Sequence, residues 1–109
     1  MTVEQTTAAH PSAFPMLEDK VALVTGAGSG IGRAGAMAMA RHGAQVVVTD
    51  LDLDRAVEVA ESLRSEGVQA TSARLDVTDD AAVAAAVAQV VATHGRIDVL
   101  HSHAGYQVE

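Results

Sequence analysis

The sequence predicts an α/β fold in which four parallel strands alternate with helices as part of a doubly wound sheet. Three observations predict it. Short apolar runs recur between longer segments whose apolar residues fall at helical spacing. The intervening segments are too long for hairpins, so the strands they join lie parallel through right-handed crossovers. A glycine-rich string follows the first apolar run directly, where a buried strand must turn into a helix.

Each element has its own signal. Val21-Ala22-Leu23-Val24 is a short buried strand, and Thr25-Gly26-Ala27-Gly28-Ser29-Gly30-Ile31-Gly32 is the turn after it. From about Gly30 to His42 the chain is rich in Ala and Met and stops at Gly43, the usual signal for a helix end. Val46-Val47-Val48-Thr49 forms a second strand of mostly β-branched residues, closing on Asp50. Leu53, Ala56, Val57, Ala60 and Leu63 share one helical face, with Arg55, Glu58, Glu61 and Arg64 turned away and Gly67 ending the helix. A third strand runs from about Val68 to Leu75 and ends on Asp76. Thr78 is placed to cap the third helix, whose first turn holds Asp79 and Asp80 and whose stripe is Val83, Val87, Val90 and Val91. After Gly95, Ile97 to His101 makes a fourth strand leading into Ser102-His103-Ala104-Gly105. With a strand order of 3-2-1-4, the ligand crevice opens between the first and fourth strands, beyond their carboxyl ends.

The 109 residues suit one domain, with residues 1–19 as a flexible N-terminal tail and 20–109 as an incomplete binding domain. The tail lacks the basic and apolar character of a signal or transit peptide, and no apolar run has the length of a membrane span. Seven Lys or Arg stand against fourteen Asp or Glu, a net charge of −7. Such a balance offers no basic surface for nucleic acid or an anionic membrane. The absence of cysteine removes disulfides and thiolate chemistry and agrees with a cytoplasmic location.

The glycine turn carries the chemistry. Gly26, Gly30 and Gly32 leave bare backbone where a pyrophosphate could approach, and the following helix offers unpaired N–H groups and its positive dipole end. Asp50 then stands where a carboxylate accepts hydrogen bonds from adenosine ribose hydroxyls and repels a 2′-phosphate. Neither Ser29 nor Leu51 is basic, so NAD is favoured over NADP. Arg33 faces either the pyrophosphate or solvent. His101 and His103 fall two apart on a strand end, but two histidines without further ligands assign no metal.

In this ordered set, residues 17 to 105 resemble the N-terminal half of a short-chain dehydrogenase/reductase, a Rossmann-like fold. The turn fits that family's Thr-Gly-x-x-x-Gly-x-Gly pattern. The resemblance places Asp76-Val77 beside the adenine and Ser102-His103-Ala104-Gly105 on the family's Asn-Asn-Ala-Gly segment, with Ser102 and His103 in place of the asparagines. Together with the turn, it implies cofactor contacts at Gly26, Ser29, Gly30, Ile31, Gly32, Asp50, Leu51, Asp76, Val77, His103, Ala104 and Gly105. It also implies alcohol–carbonyl redox chemistry by hydride transfer, performed in the family with a serine and a Tyr-x-x-x-Lys pair. The only tyrosine here is Tyr106 and the only lysine is Lys20, so this chain supplies no such pair. The expected function is therefore the NAD-binding portion of an oxidoreductase, with a non-catalytic NAD-binding module or a non-functional fragment as alternatives. An open edge on the fourth strand is expected to favour self-association.

Overall fold

The computed structural model describes residues 16–101. Seven elements follow in order: β1 (Val21–Val24), α1 (Gly30–Arg41), β2 (Gln45–Asp50), α2 (Leu53–Ser65), β3 (Ala70–Arg74), α3 (Asp80–His94) and β4 (Val99–His101). The sheet order is β3-β2-β1-β4 with every pair parallel, as predicted. Leu23 pairs in register with Val47 on one side and Leu100 on the other.

Alternate strand residues enter two different cores, because successive side chains point to opposite faces of a sheet. Ala22, Val24, Val46 and Val48 pack with Ala36 and Ala40 of α1 and with Ala56, Val59, Ala60 and Leu63 of α2. The alanines let these helices lie close to the sheet. Val21, Leu23 and Val47 form the smaller second cluster with Val90 of α3, flanked by the half-buried Val87 and Ile97. One face thus carries two helices and the other only one.

Three details differ from the sequence reading. On α2 the buried set is Ala56, Val59, Ala60 and Leu63, whereas Leu53 is 44% exposed. Leu53 opens the helix beyond the edge of the packed face, and Val59 takes the inward position. On α3 only Val90 is buried and Val91 lies exposed, since among the described residues no second helix flanks that side of the sheet. The cap of α3 is Asp79, not Thr78: Asp79 Oδ1 accepts from the Ala82 N–H at 3.1 Å. Thr78 instead turns its hydroxyl back to Asp76.

β3 and β4 are also shorter than their predicted runs, whereas β1 matches its run and β2 extends one residue beyond it at each end. The Val68 N–H donates to the Leu63 carbonyl, which closes the end of α2 before β3 begins. Asp98 precedes β4 and accepts the Val21 N–H on its side chain at 2.9 Å. Residues 16–19, placed in the tail on sequence, form a turn in which the Leu17 N–H donates to the His42 carbonyl and Leu17 packs on the larger core. The rest of that tail lies outside the described residues.

Candidate functional site

The carboxyl ends of the four strands and the start of α1 meet at one edge of the sheet. β1 runs into the turn, and two backbone bonds set the turn's course: the Thr25 N–H donates to His101 and the Ala27 N–H to Thr49, at 3.0 and 2.9 Å. The buried Thr49 hydroxyl donates to the Val24 carbonyl at 2.7 Å, tying β2 to β1 just below the turn.

Within the turn, two glycines are required for different reasons. Gly32 packs against the chain before it, where a Cβ would stand 2.0 Å from the Gly26 carbonyl oxygen. Gly30 has a φ of +61° and open space around its missing side chain. That combination serves a left-handed backbone with an exposed face. Ser29 is the N-cap residue of α1, yet its side chain makes no cap hydrogen bond, and the first turn of α1 contains no acidic residue. The leading N–H groups of α1 therefore keep their capacity to bind an anion.

Asp50 ends β2 beside this turn. Its Oδ2 accepts the Gly28 N–H at 2.8 Å and its Oδ1 accepts the Asp52 N–H at 2.9 Å. Asp52 in turn caps α2 by accepting from the N–H groups of Asp54 and Arg55. The Leu75 N–H donates to the Asp50 carbonyl, which holds the chain just after β3 against the end of β2. Just beyond it, Asp76 Oδ1 accepts both the Thr78 hydroxyl at 2.6 Å and the Thr78 N–H at 2.9 Å. These two donors, the hydroxyl first, hold the Asp76 carboxyl below its ordinary range.

Ile31 and Leu51 are strongly exposed at 68% and 55%. Both are apolar side chains at the rim of the site, one opening α1 and the other following β2. Val77 is half-buried. Arg33 is exposed on the outer flank of α1, where it lines a groove of about 450 Å³ with Gly30, Ala34, Met37 and Arg41. His103, Ala104 and Gly105 lie outside the described residues. Among the described residues, no cluster of three or more His, Asp or Glu is arranged to hold a metal, and no helix is long and apolar enough to cross a membrane.

The sequence reading missed Gly28, Thr49 and Asp52. Gly28 occupies an unspecified position of the motif, and only its contact with Asp50 gives it a role. Thr49 carries a visible signal, a hydroxyl closing an apolar strand. Asp52 has the spacing of an N-cap before α2.

The comparisons with known proteins agree with this geometry. The family model described as short chain dehydrogenase matches residues 20–109. The chain is 41% identical over 93 residues to an uncharacterized oxidoreductase YxbG of Bacillus subtilis, covering 85% of this chain and 34% of that protein. It is 46% identical over 90 residues to a 2-keto-3-deoxy-L-fuconate dehydrogenase of Xanthomonas campestris, covering 83% of this chain and 27% of that protein. The crystal structure of a hydroxysteroid dehydrogenase from Escherichia coli superposes with a TM-score of 0.79 at 37% identity, over 83% of this chain and 38% of that one. The chain thus spans about a third of the length of the relatives it matches. Members of the matched family bind a nicotinamide dinucleotide. With the turn, the parallel sheet and the family model all in agreement, the chain belongs to the short-chain dehydrogenase family.

Proposed function

We propose that this chain is the NAD-binding portion of an oxidoreductase that interconverts alcohols and carbonyls by hydride transfer. The observation that carries the reading is the carboxylate of Asp50, held by the Gly28 N–H beside the open N-terminus of α1. In this reading the pyrophosphate lies on the backbone of Gly26, Ser29, Gly30, Ile31 and Gly32, where helix N–H groups supply the positive field that a chain of net charge −7 lacks. Asp50 accepts the ribose hydroxyls with its remaining lone pairs, and Leu51 and Ile31 offer apolar surface at the rim. Asp76 and Val77 flank the adenine, and His103, Ala104 and Gly105 continue the cleft beyond β4.

The nicotinamide supplies hydride chemistry when bound. This chain binds and orients it, and the acid–base groups come from the part of the relatives that this chain does not match. The preference for NAD rests on charge, because a 2′-phosphate brought to Asp50 would meet a carboxylate with no basic residue at Ser29 or Leu51 to offset it. Arg55, nearby on α2, is engaged with Asp52 at 3.5 Å.

Calorimetric titration tests the reading. NAD should bind at least about tenfold tighter than NADP, a difference of about 1.4 kcal/mol, and Asp50→Ala should erase most of that gap. Equal affinity for the two cofactors would overturn the NAD assignment, and no affinity for either would overturn the binding function. Sustained NADH production by this chain alone with an alcohol would overturn the division of labour between binding and acid–base chemistry.

A further inference from the structure

Asp50 is held from two sides by main-chain donors, Gly28 at Oδ2 and Asp52 at Oδ1, so the plane of its carboxylate is fixed. The Gly28 contact joins residues from different elements and leaves no room for a side chain. A Cβ at this position would stand 2.9 Å from Asp50 Oδ2, 3.0 Å from its Cγ and 2.6 Å from the Cβ of Arg55. Arg55 Cβ is anchored in the first turn of α2, whereas the Asp50 carboxylate is the end of a short side chain that can rotate. Gly28 is not among the residues with positive φ, so its backbone accepts alanine without strain. An alanine here therefore presses hardest on Arg55 Cβ at the start of α2 and also on the Asp50 carboxylate, while at Gly32 the obstacle is backbone.

We propose that Gly28 is a positioning residue that sets the preference for NAD over NADP by holding the Asp50 carboxylate in the orientation that meets the ribose hydroxyls. The inference rests on the NAD-binding reading above and adds to it the residue through which Asp50 acts. Gly28→Ala removes the space the carboxylate occupies, so NAD loses its ribose acceptor. NADP, already repelled by that carboxylate, loses only what the displaced start of α2 costs both cofactors.

The test is the ratio of NADP to NAD dissociation constants in four proteins: wild type, Gly28→Ala, Asp50→Ala and the double variant. Gly28→Ala should weaken NAD about five- to tenfold more than it weakens NADP, the scale of one charged hydrogen bond, because the push on Arg55 Cβ acts on both cofactors alike and the displaced carboxylate on NAD. In the Asp50→Ala background the same substitution should leave the ratio unchanged. A purely structural role would weaken both cofactors together, and a ratio in Gly28→Ala within twofold of wild type overturns the proposal. So does an equal shift of the ratio in both backgrounds. If Gly28→Ala does not fold, the Gly28 amide resonance of the wild type decides: it should move strongly on Asp50→Ala and on NAD addition, and an unmoved resonance overturns the proposal. Failure of the wild type to bind NAD at all is a separate outcome that removes the underlying reading.

Discussion

Gly32 and Asp76 show how much of this site depends on single atoms. A methyl group at residue 32 would press into the Gly26 carbonyl, and neither backbone segment can retreat without breaking the turn. Gly32→Ala should therefore destabilise the chain by about 3 kcal/mol or more, read as a lowered midpoint in thermal unfolding. Asp76 depends on Thr78, whose hydroxyl and N–H both donate to one carboxylate oxygen. Because the folded pKa of Asp76 lies below its ordinary 3.8, this contact stabilises the fold above that value. The stabilisation is lost as pH falls through the lowered folded value. Thr78→Val should move the Asp76 titration upward in an NMR pH series, and an unmoved titration would contradict the assignment.

At the scale of elements, the starts of the helices differ in how their first N–H groups are engaged. α2 and α3 are closed by aspartates that accept from their own first-turn N–H groups, Asp52 and Asp79. α1 begins at Ser29 without a side-chain cap bond, which leaves its donors for a ligand. Removing the caps should have matching consequences. Asp79→Ala should cost about 0.5–2 kcal/mol of stability by denaturant titration, with cofactor affinity unchanged. Ser29→Ala should cost no cap energy, and a large loss would show that its hydroxyl caps α1 in solution. The capping residue of α3 was also the hardest feature to read from sequence, since Thr78 and Asp79 are both good caps. What decides between them is the bond from Thr78 to Asp76, a contact set by how the chain leaves β3.

The whole molecule is lopsided. Among the described residues two helices cover one face of the sheet and α3 alone covers the other, and Leu100 of β4 is 53% exposed although its register partner Leu23 is buried. Among the described residues β4 pairs with β1 and lies at the edge of the sheet. An open edge beside an apolar surface favours association. The isolated chain should sediment with a concentration-dependent mass, and Leu100→Lys should shift it toward monomer. A monomer at all concentrations would show that this edge is already satisfied.

The order of elements, the parallel sheet and the glycine turn followed from the sequence alone, because apolar spacing and the positions of glycine act over a few neighbouring residues. The placement of Gly26, Gly30 and Gly32 between β1 and the first turn of α1, and of Asp50 at the end of β2, was legible for the same reason. Only the tertiary structure decided that Gly28 holds Asp50, that Val59 rather than Leu53 is buried, and that of the valine stripe of α3 Val90 alone is fully buried. Each of those outcomes depends on which element lies opposite a given face. A side chain's spacing along its own helix or strand does not carry that information.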